Sequence, residues 1–453
     1  MDHQSRISAD LPGLGINEIK DTAPLNRFHL LVVALCGGVV FFDGLDLLSI
    51  SYAAPHIARA LGLSAQQVGL VFSAGLLGLC IGSLAVGAFS DRRGRKPALL
   101  LSVLLFSAGS ILTGLAEGLP SLLAWRLVTG LGLGAATPVV FALVTETCPR
   151  RLRASLNMIV YCGLMLGGLF AGAVAALMLD RFGWEWIFFI GGVLPLLYLP
   201  ILARWLPESI EHLLARGAPG ALITTLLQRL APGAAPVQHD RTAEPSVRAG
   251  RGSVWRLLAP DLAARTAYAT AGMFFCLLTL FVYASWLPSL LQRAGMSQNG
   301  AIVVTLMGQV GNLIGSLTIA RLIVSWPAFR LVAFTFGGAA LALVMVASAP
   351  PQLRWQIPFN LLVGACLGGS QNALVSLSPG LFPVEVRTTG VGWVRGVGQA
   401  GAIAGPGFTG VLLGHHWTPA QILGLVALAP LFAAGACWCL HVTQRNESQG
   451  NFR

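Results

Sequence analysis

The chain has 453 residues, 55% of them hydrophobic and 10% charged, with a mean hydropathy of +0.73. Soluble domains carry about 25% charged residues, so this composition excludes a soluble protein and points to one that crosses a bilayer many times. The net charge of +11 would suit a nucleic-acid binder, but the basic residues follow the alternation of apolar segments and form no single patch.

The first 27 residues are polar and show no sequence of charge, short apolar core and small-residue cleavage site, so the first apolar run is expected to be retained. Twelve runs of spanning length follow, at 28–51, 66–90, 97–116, 120–145, 156–180, 185–206, 265–290, 299–325, 328–349, 355–382, 388–414 and 420–441. They predict an all-α membrane protein with twelve transmembrane helices. If the N-terminus is cytoplasmic, 23 of the 29 Lys and Arg fall in cytoplasmic segments; Arg59, Arg181, Arg293 and Arg354 lie opposite, and Arg126 and Arg395 lie within spans. This asymmetry predicts a multi-pass protein with both termini in the cytoplasm. Basicity therefore reports topology, and no nucleic-acid partner is expected.

The first span contains "VVFFDGLDLLSI", in which Asp43 and Asp46 are spaced i, i+3 and share a helix face. A carboxylate at bilayer depth costs at least ~2.5 kcal/mol on insertion scales, so two of them need a reason. At about 1.5 Å per residue from Phe28, they lie roughly 22 and 27 Å in. Arg126 of the fourth span, entering from the other side near Pro120, lies roughly 9 Å below the outer surface. Asp46 and Arg126 thus reach comparable depth, and an ion pair facing a central cavity would make both tolerable. Two carboxylates this close resist carrying charge together, while the guanidinium favours charge on its partner. Asp43, Asp46 and Arg126 are therefore expected to form a proton-coupling site. Importing a monoanion against an inside-negative potential costs about 2.3 kcal/mol per 100 mV, which one accompanying proton cancels. The alternative is a structural ion pair locking spans one and four.

Between spans two and three comes "DRRGRK". Asp91, Arg92 and Arg95, with Glu146 at the end of span four, are expected to form a charge network that closes the inner face and breaks on opening. Topology alone is the alternative reading of these basic residues. In span five, "GLMLGGLFAG" has glycine spacing suited to close helix contact. The eight cysteines, at 36, 80, 148, 162, 276, 366, 437 and 439, lie in or at the ends of spans with no CxxC, so they are expected to pack, with no disulfide, metal or cofactor.

A polar stretch, 207–264, contains "APGAAPVQHDRTAEPSVRAGRGS" and reads as a flexible cytoplasmic linker between six-span halves 28–206 and 265–441, flanked by tails 1–27 and 442–453. The halves echo each other: "CPRRLRAS" at 148 recurs as "FPVEVRTT" at 382, an offset of 234, and "GSLAVGAFSDRRGRK" at Gly82 recurs as "GSLTIARLIVSWPAFR" at Gly315, an offset of 233. Carriers built from duplicated halves bind solute between them near the midplane. Shifted by 234, the aspartates fall on Leu277 and Leu280, so carboxylate chemistry belongs to the first half.

In the second half, Arg395 of span eleven is the charge well inside the bilayer, with Gln399 one turn on. Its planar fork suits a substrate carboxylate; the alternative is that it snorkels to the cytoplasmic end, about 10 Å away. Gln371 and Asn372 in span ten offer donors to a hydroxyl or carboxylate, or else bond between helices. Tyr161, Tyr283 and Trp286 could stack on an aromatic ring or simply pack. "NES" at 446 matches a glycosylation sequon but falls on the cytoplasmic side. GxSxG, HExxH and P-loop motifs are missing, so no enzyme is expected.

The loop "GSLAVGAFSDRRGRK" and "RLVTGLGLGAA" in span four resemble the signatures of the major facilitator superfamily. "DGLD", "ALVTETCPRRLRA", "LPES" and "PVEVRTTGVGW" are similar to its aromatic acid:proton symporter family, and "YCGLMLGG" and "GGSQNAL" to the hydroxyphenylpropionate-type members. The resemblance implies the major facilitator fold in a bacterial inner membrane. It also implies proton symport of a small aromatic carboxylate of hydroxybenzoate or phenylpropionate type, the acids of "DGLD" as proton site, and action as a monomer. The sequence departs from that pattern at Val324 and Ser325, where Asp and Arg are expected, and at Gln399, where members carry arginine. Span five lacks the Gly-Pro of the superfamily's antiporters, which favours symport. Export or exchange of a related organic anion or drug, and a sensor built on the same scaffold, are the competing readings.

Overall fold

The computed structural model describes residues 23–230, 254–260, 262–383 and 386–450, and among them every regular element is helical. The first half comprises α1 (Arg27–Ala60), α2 (Ala65–Arg93), α3 (Arg95–Gly114), α4 (Leu119–Thr147), α5 (Arg153–Phe182) and α6 (Glu185–Trp205). Two short helices follow, α7 (Ile210–Ala215) and α8 (Gly220–Leu230). The second half comprises α9 (Ala263–Arg293), α10 (Gln298–Leu322), α11 (Ala328–Ser348), α12 (Leu353–Leu377), α13 (Arg387–Gly414) and the pair α14 (Pro419–Val426) and α15 (Leu428–Gly450).

Helix ends follow local chemistry. Asn26 and Ser64 cap α1 and α2 through capping boxes, and Gly94, at φ +109°, breaks the chain between α2 and α3 in a conformation that glycine tolerates. The expected twelfth span is interrupted at Ala427 because Pro430 has no N–H for the carbonyl of Val426. Eleven described spans are long and apolar enough to cross a bilayer, with α14 and α15 counting as one. Helix α13 has the length, 28 residues, but Arg395, Gln399 and its glycines dilute its hydropathy. It completes the twelve-helix arrangement by packing against α9 and α2.

The duplication in sequence is a duplication in packing. In the first half α1 lies on α5, α2 on α4, and α3 on α4 and α6; in the second, α9 lies on α13, α10 on α12, and α11 on α12 and α15. Small residues allow these approaches, which matter because lipid supplies no hydrophobic force between helices. Gly44 of α1 faces the Leu164 carbonyl and Gly167 of α5 faces the Phe41 carbonyl, so a Cβ at either position would overlap backbone.

The stretch expected to be a flexible linker opens with structure. Ile210 of α7 and Ile223, Leu227 and Leu230 of α8 form a small apolar cluster with Phe28 at the foot of α1. Asn26 Nδ2 donates to the carbonyls of Arg229 and Leu230 at 2.8 and 2.9 Å, closing the end of α8. Residues 231–253, which carry the Pro, Ala, Gly and Arg composition, lie outside the described residues, as does most of the N-terminal tail.

Candidate functional site

The apolar run of α1 carries Asp43 and Asp46 into the first half, where both are buried, at 8% and 1% exposure. Arg126 of α4, 5% exposed, meets Asp46 in a two-pronged pair: Nη1 donates to Oδ1 at 3.1 Å and Nη2 to Oδ2 at 2.9 Å. The Ser110 hydroxyl of α3 lies 3.4 Å from Asp46 Oδ1, and the guanidinium sits 5.9 Å from the Phe188 ring centroid. Parallel donors matched to a carboxylate, with an aromatic face beneath, are what make a charge pair tolerable at this depth.

Asp43, one turn earlier, has no such partner. Its Oδ2 accepts one hydrogen bond, from Thr137 Oγ1 of α4 at 3.0 Å. Half-buried Tyr161 of α5 lies within electrostatic reach of both Asp43 and Arg395 of α13. Arg395 is exposed and makes no hydrogen bond or ion pair among the described residues. Gln371 and Gln399 are half-buried and also make no hydrogen bond there. The expected residues therefore separate into an occupied group and a free group.

Three candidate binding residues have polar atoms already engaged by neighbouring helices. Tyr283 Oη donates to Asn360 Oδ1 at 2.9 Å, and the side chain is 6% exposed. Trp286 Nε1 donates to the Pro406 carbonyl at 3.0 Å, and its ring meets Phe72 edge-on with centroids 5.3 Å apart. Asn372 Nδ2 donates to Ser316 Oγ at 2.8 Å, between α12 and α10. Buried polar groups must be paired, and here neighbouring helices pair them.

Trp286 belongs to the seam between halves. Ser73 Oγ of α2 donates to the Ile403 carbonyl of α13 at 2.7 Å, and Gly172 of α5 approaches Ile302 and Leu306 of α10. All these contacts lie towards the end of the bundle away from the termini. Along the same α13, Arg395 nearer the termini is exposed. The seam is thus closed at the far end, with the free arginine on the other side of it.

The charge network forms, but within the first half. Arg95 pairs with Asp91, and donates to Glu146 Oε1 from Nε at 3.3 Å and from Nη2 at 3.1 Å. Sequence reasoning gave no role to Glu208 of "LPES", whose Oε1 accepts from the backbone N–H groups of Arg95, Lys96 and Ser209 at 2.7, 3.3 and 2.9 Å. It thereby caps the start of α3 with a charge that the helix N-terminus favours. The Arg92 side chain is a correction: it is exposed and makes no ion pair among the described residues, and its carbonyl accepts from Arg216. Thr137 and Ser110 were also missed, because a single hydroxyl in an apolar run gives no signal of its partner.

Two six-helix halves meeting at a seam, with a buried carboxylate–guanidinium pair in one and an unpaired arginine in the other, have the architecture of a membrane carrier. The chain belongs to the Major Facilitator Superfamily, whose family profile matches residues 36–406. It is 32% identical over 415 residues to the 4-hydroxybenzoate transporter PcaK of Acinetobacter baylyi, covering 91% of each chain. It is 33% identical over 384 residues to the 3-(3-hydroxy-phenyl)propionate transporter of Escherichia coli, covering 85% of this chain and 87% of that one. The inward open conformation of the xylose transporter XylE from E. coli superposes with a TM-score of 0.68 at 19% identity, over 91% of this chain and 95% of that chain, a likeness of fold. The protein is a transporter, not an enzyme.

Proposed function

We propose that the protein imports a small aromatic carboxylate of the hydroxybenzoate or phenylpropionate type together with protons, by alternating access across a bacterial inner membrane, with both termini in the cytoplasm. The observation that carries this reading is the free guanidinium of Arg395, within electrostatic reach of Tyr161, which in turn neighbours the buried Asp43. A carboxylate placed on Arg395 gains a charge-assisted, two-pronged contact, its ring can lie against Tyr161, and Gln371 and Gln399 have amides left over for a ring hydroxyl. The substrates for which the relatives are named, 4-hydroxybenzoate and a hydroxyphenylpropionate, support this class.

Coupling falls to Asp43. Both oxygens of Asp46 are engaged by Arg126, whereas Asp43 has a single neutral donor, so a proton can join it without breaking an ion pair. The far-end closure through the Ser73 hydrogen bond and the Trp286–Phe72 ring contact fits a carrier resting open to the cytoplasm. A complete set of site residues in one chain supports action as a monomer. Energised right-side-out vesicles given labelled 4-hydroxybenzoate test the reading. Uphill accumulation with alkalinisation of the outer medium is expected, and proton movement in the opposite direction would replace symport by exchange.

A further inference from the structure

Thr137 sits on α4 beside two acceptors. Its Oγ1 lies 3.0 Å from Asp43 Oδ2 on α1 and 3.3 Å from the carbonyl of Leu133, one turn back on its own helix. A hydroxyl has one proton, so it serves one of them at a time. The next residue, Pro138, lies inside the helix and has no N–H for the carbonyl of Gly134, so the α4 ladder is interrupted where the hydroxyl makes its choice.

Around Asp43, the groups able to carry charge are Asp46 on α1 itself and Tyr161 on α5, with Arg126 of α4 engaged on Asp46 and Arg395 of α13 beyond Tyr161. Helices α2, α6, α8 and α9 also pack on α1, and α6 brings Tyr198, whose ring meets Phe42 with centroids 5.5 Å apart and whose hydroxyl donates to the Leu35 carbonyl at 3.3 Å, two turns before Asp43. Thr137 is therefore the group placed to distinguish the two protonation states of Asp43 by direct contact.

We propose that Thr137 is a positioning residue for proton coupling, a deepening that rests on the symport reading above. With Asp43 ionised, the Thr137 hydroxyl donates to it and ties α1 to α4. When a proton from the cavity joins Asp43, the new carboxyl O–H donates to Thr137 Oγ1, and the Thr137 proton, never leaving its oxygen, turns to the Leu133 carbonyl. The link between the helices loses its charge-assisted character at the interrupted turn of α4, so the state of the proton site is passed to a helix of the first half.

The experiment compares Thr137→Val and Thr137→Ser with the native chain in reconstituted vesicles, using 4-hydroxybenzoate as probe. It reads the pH profile of proton-driven uptake and, separately, solute exchange without a pH gradient. The Val variant removes the donor that favours the ionised carboxylate, so half-maximal uptake is expected to move to higher pH by about half to one unit, the shift produced by one hydrogen bond of ordinary strength. Exchange KM should stay within about twofold, and Ser should restore the native profile. Should Val fail to fold, Thr137→Ala supplies the hydroxyl-free chain. A hydroxyl-free profile superimposable on the native one, or a Ser profile no closer to native than Val, overturns the role of Thr137. Asp43→Asn separates this from the underlying reading: undiminished uphill uptake in that variant sinks the proton site itself, whatever Thr137 does.

Discussion

Arg126 holds Asp46 by both carboxylate oxygens, at 3.1 and 2.9 Å, while its own Nε, buried, has no partner in the structure. The pair joins α4 to α1 across 80 residues of sequence and is almost wholly out of solvent. Asp43, one turn away, has the Thr137 hydroxyl and no cation. The two aspartates of "DGLD" thus have different surroundings, although the sequence presents them as equivalent.

Breaking that pair from one side should be expensive. Arg126→Met leaves the Asp46 charge buried and unpaired, with an expected loss of ~3–5 kcal/mol. In the double variant Asp46→Asn/Arg126→Met both charges are gone, and much of the loss should return. Thermal unfolding in detergent of the two single variants and the double variant checks this, since non-additivity is the signature of a direct pair.

Affinity should depend on Arg395 and not on Tyr283. Arg395→Ala removes the free guanidinium and is expected to weaken 4-hydroxybenzoate binding at least tenfold, about 1.4 kcal/mol or more. Tyr283→Phe removes a hydroxyl already spent on Asn360, so binding should change little while the melting temperature falls slightly. Calorimetric titration of both purified variants separates the site from its scaffold, and unchanged affinity in the Arg395 variant would remove that residue from the pocket.

The far-end seam should open during transport. A Cβ built on Gly407 of α13 would lie 3.0 Å from Ser73 Oγ of α2, so cysteines at these two positions are within bonding reach. Ser73→Cys/Gly407→Cys should lose uptake on oxidation and regain it on reduction, whereas either single substitution should transport throughout. Uptake that survives complete cross-linking would mean that this seam stays shut through the cycle.

Glu208 should affect stability more than binding. Glu208→Ala leaves the first N–H groups of α3 uncapped, with an expected cost of about 0.5–2 kcal/mol and a lower melting temperature. Substrate affinity should be unchanged, because the cap lies with the Arg95–Glu146 cluster at the termini end of the helices. A drop in affinity without a drop in melting temperature would contradict that assignment.

Much of this molecule is legible in one dimension. Spanning helices must be long and apolar, a charge within them is costly, and duplicated halves leave nearly equal offsets; these local or additive constraints place the helices, single out Asp43, Asp46, Arg126 and Arg395, and pair Asp46 with Arg126 by depth alone. What the sequence could not tell is which polar side chains are already taken. Tyr283 and Asn360 are 77 residues apart, and Trp286 and Pro406 are 120 apart, so the bonds that engage the polar atoms of Tyr283 and Trp286 exist only once the helices pack. The same holds for Thr137 on Asp43 and Glu208 on α3, and for Arg92, whose side chain is left outside the network its neighbours form. A hydrogen bond needs its partners within about 3 Å and in line, and that condition is met or missed by the folded arrangement alone.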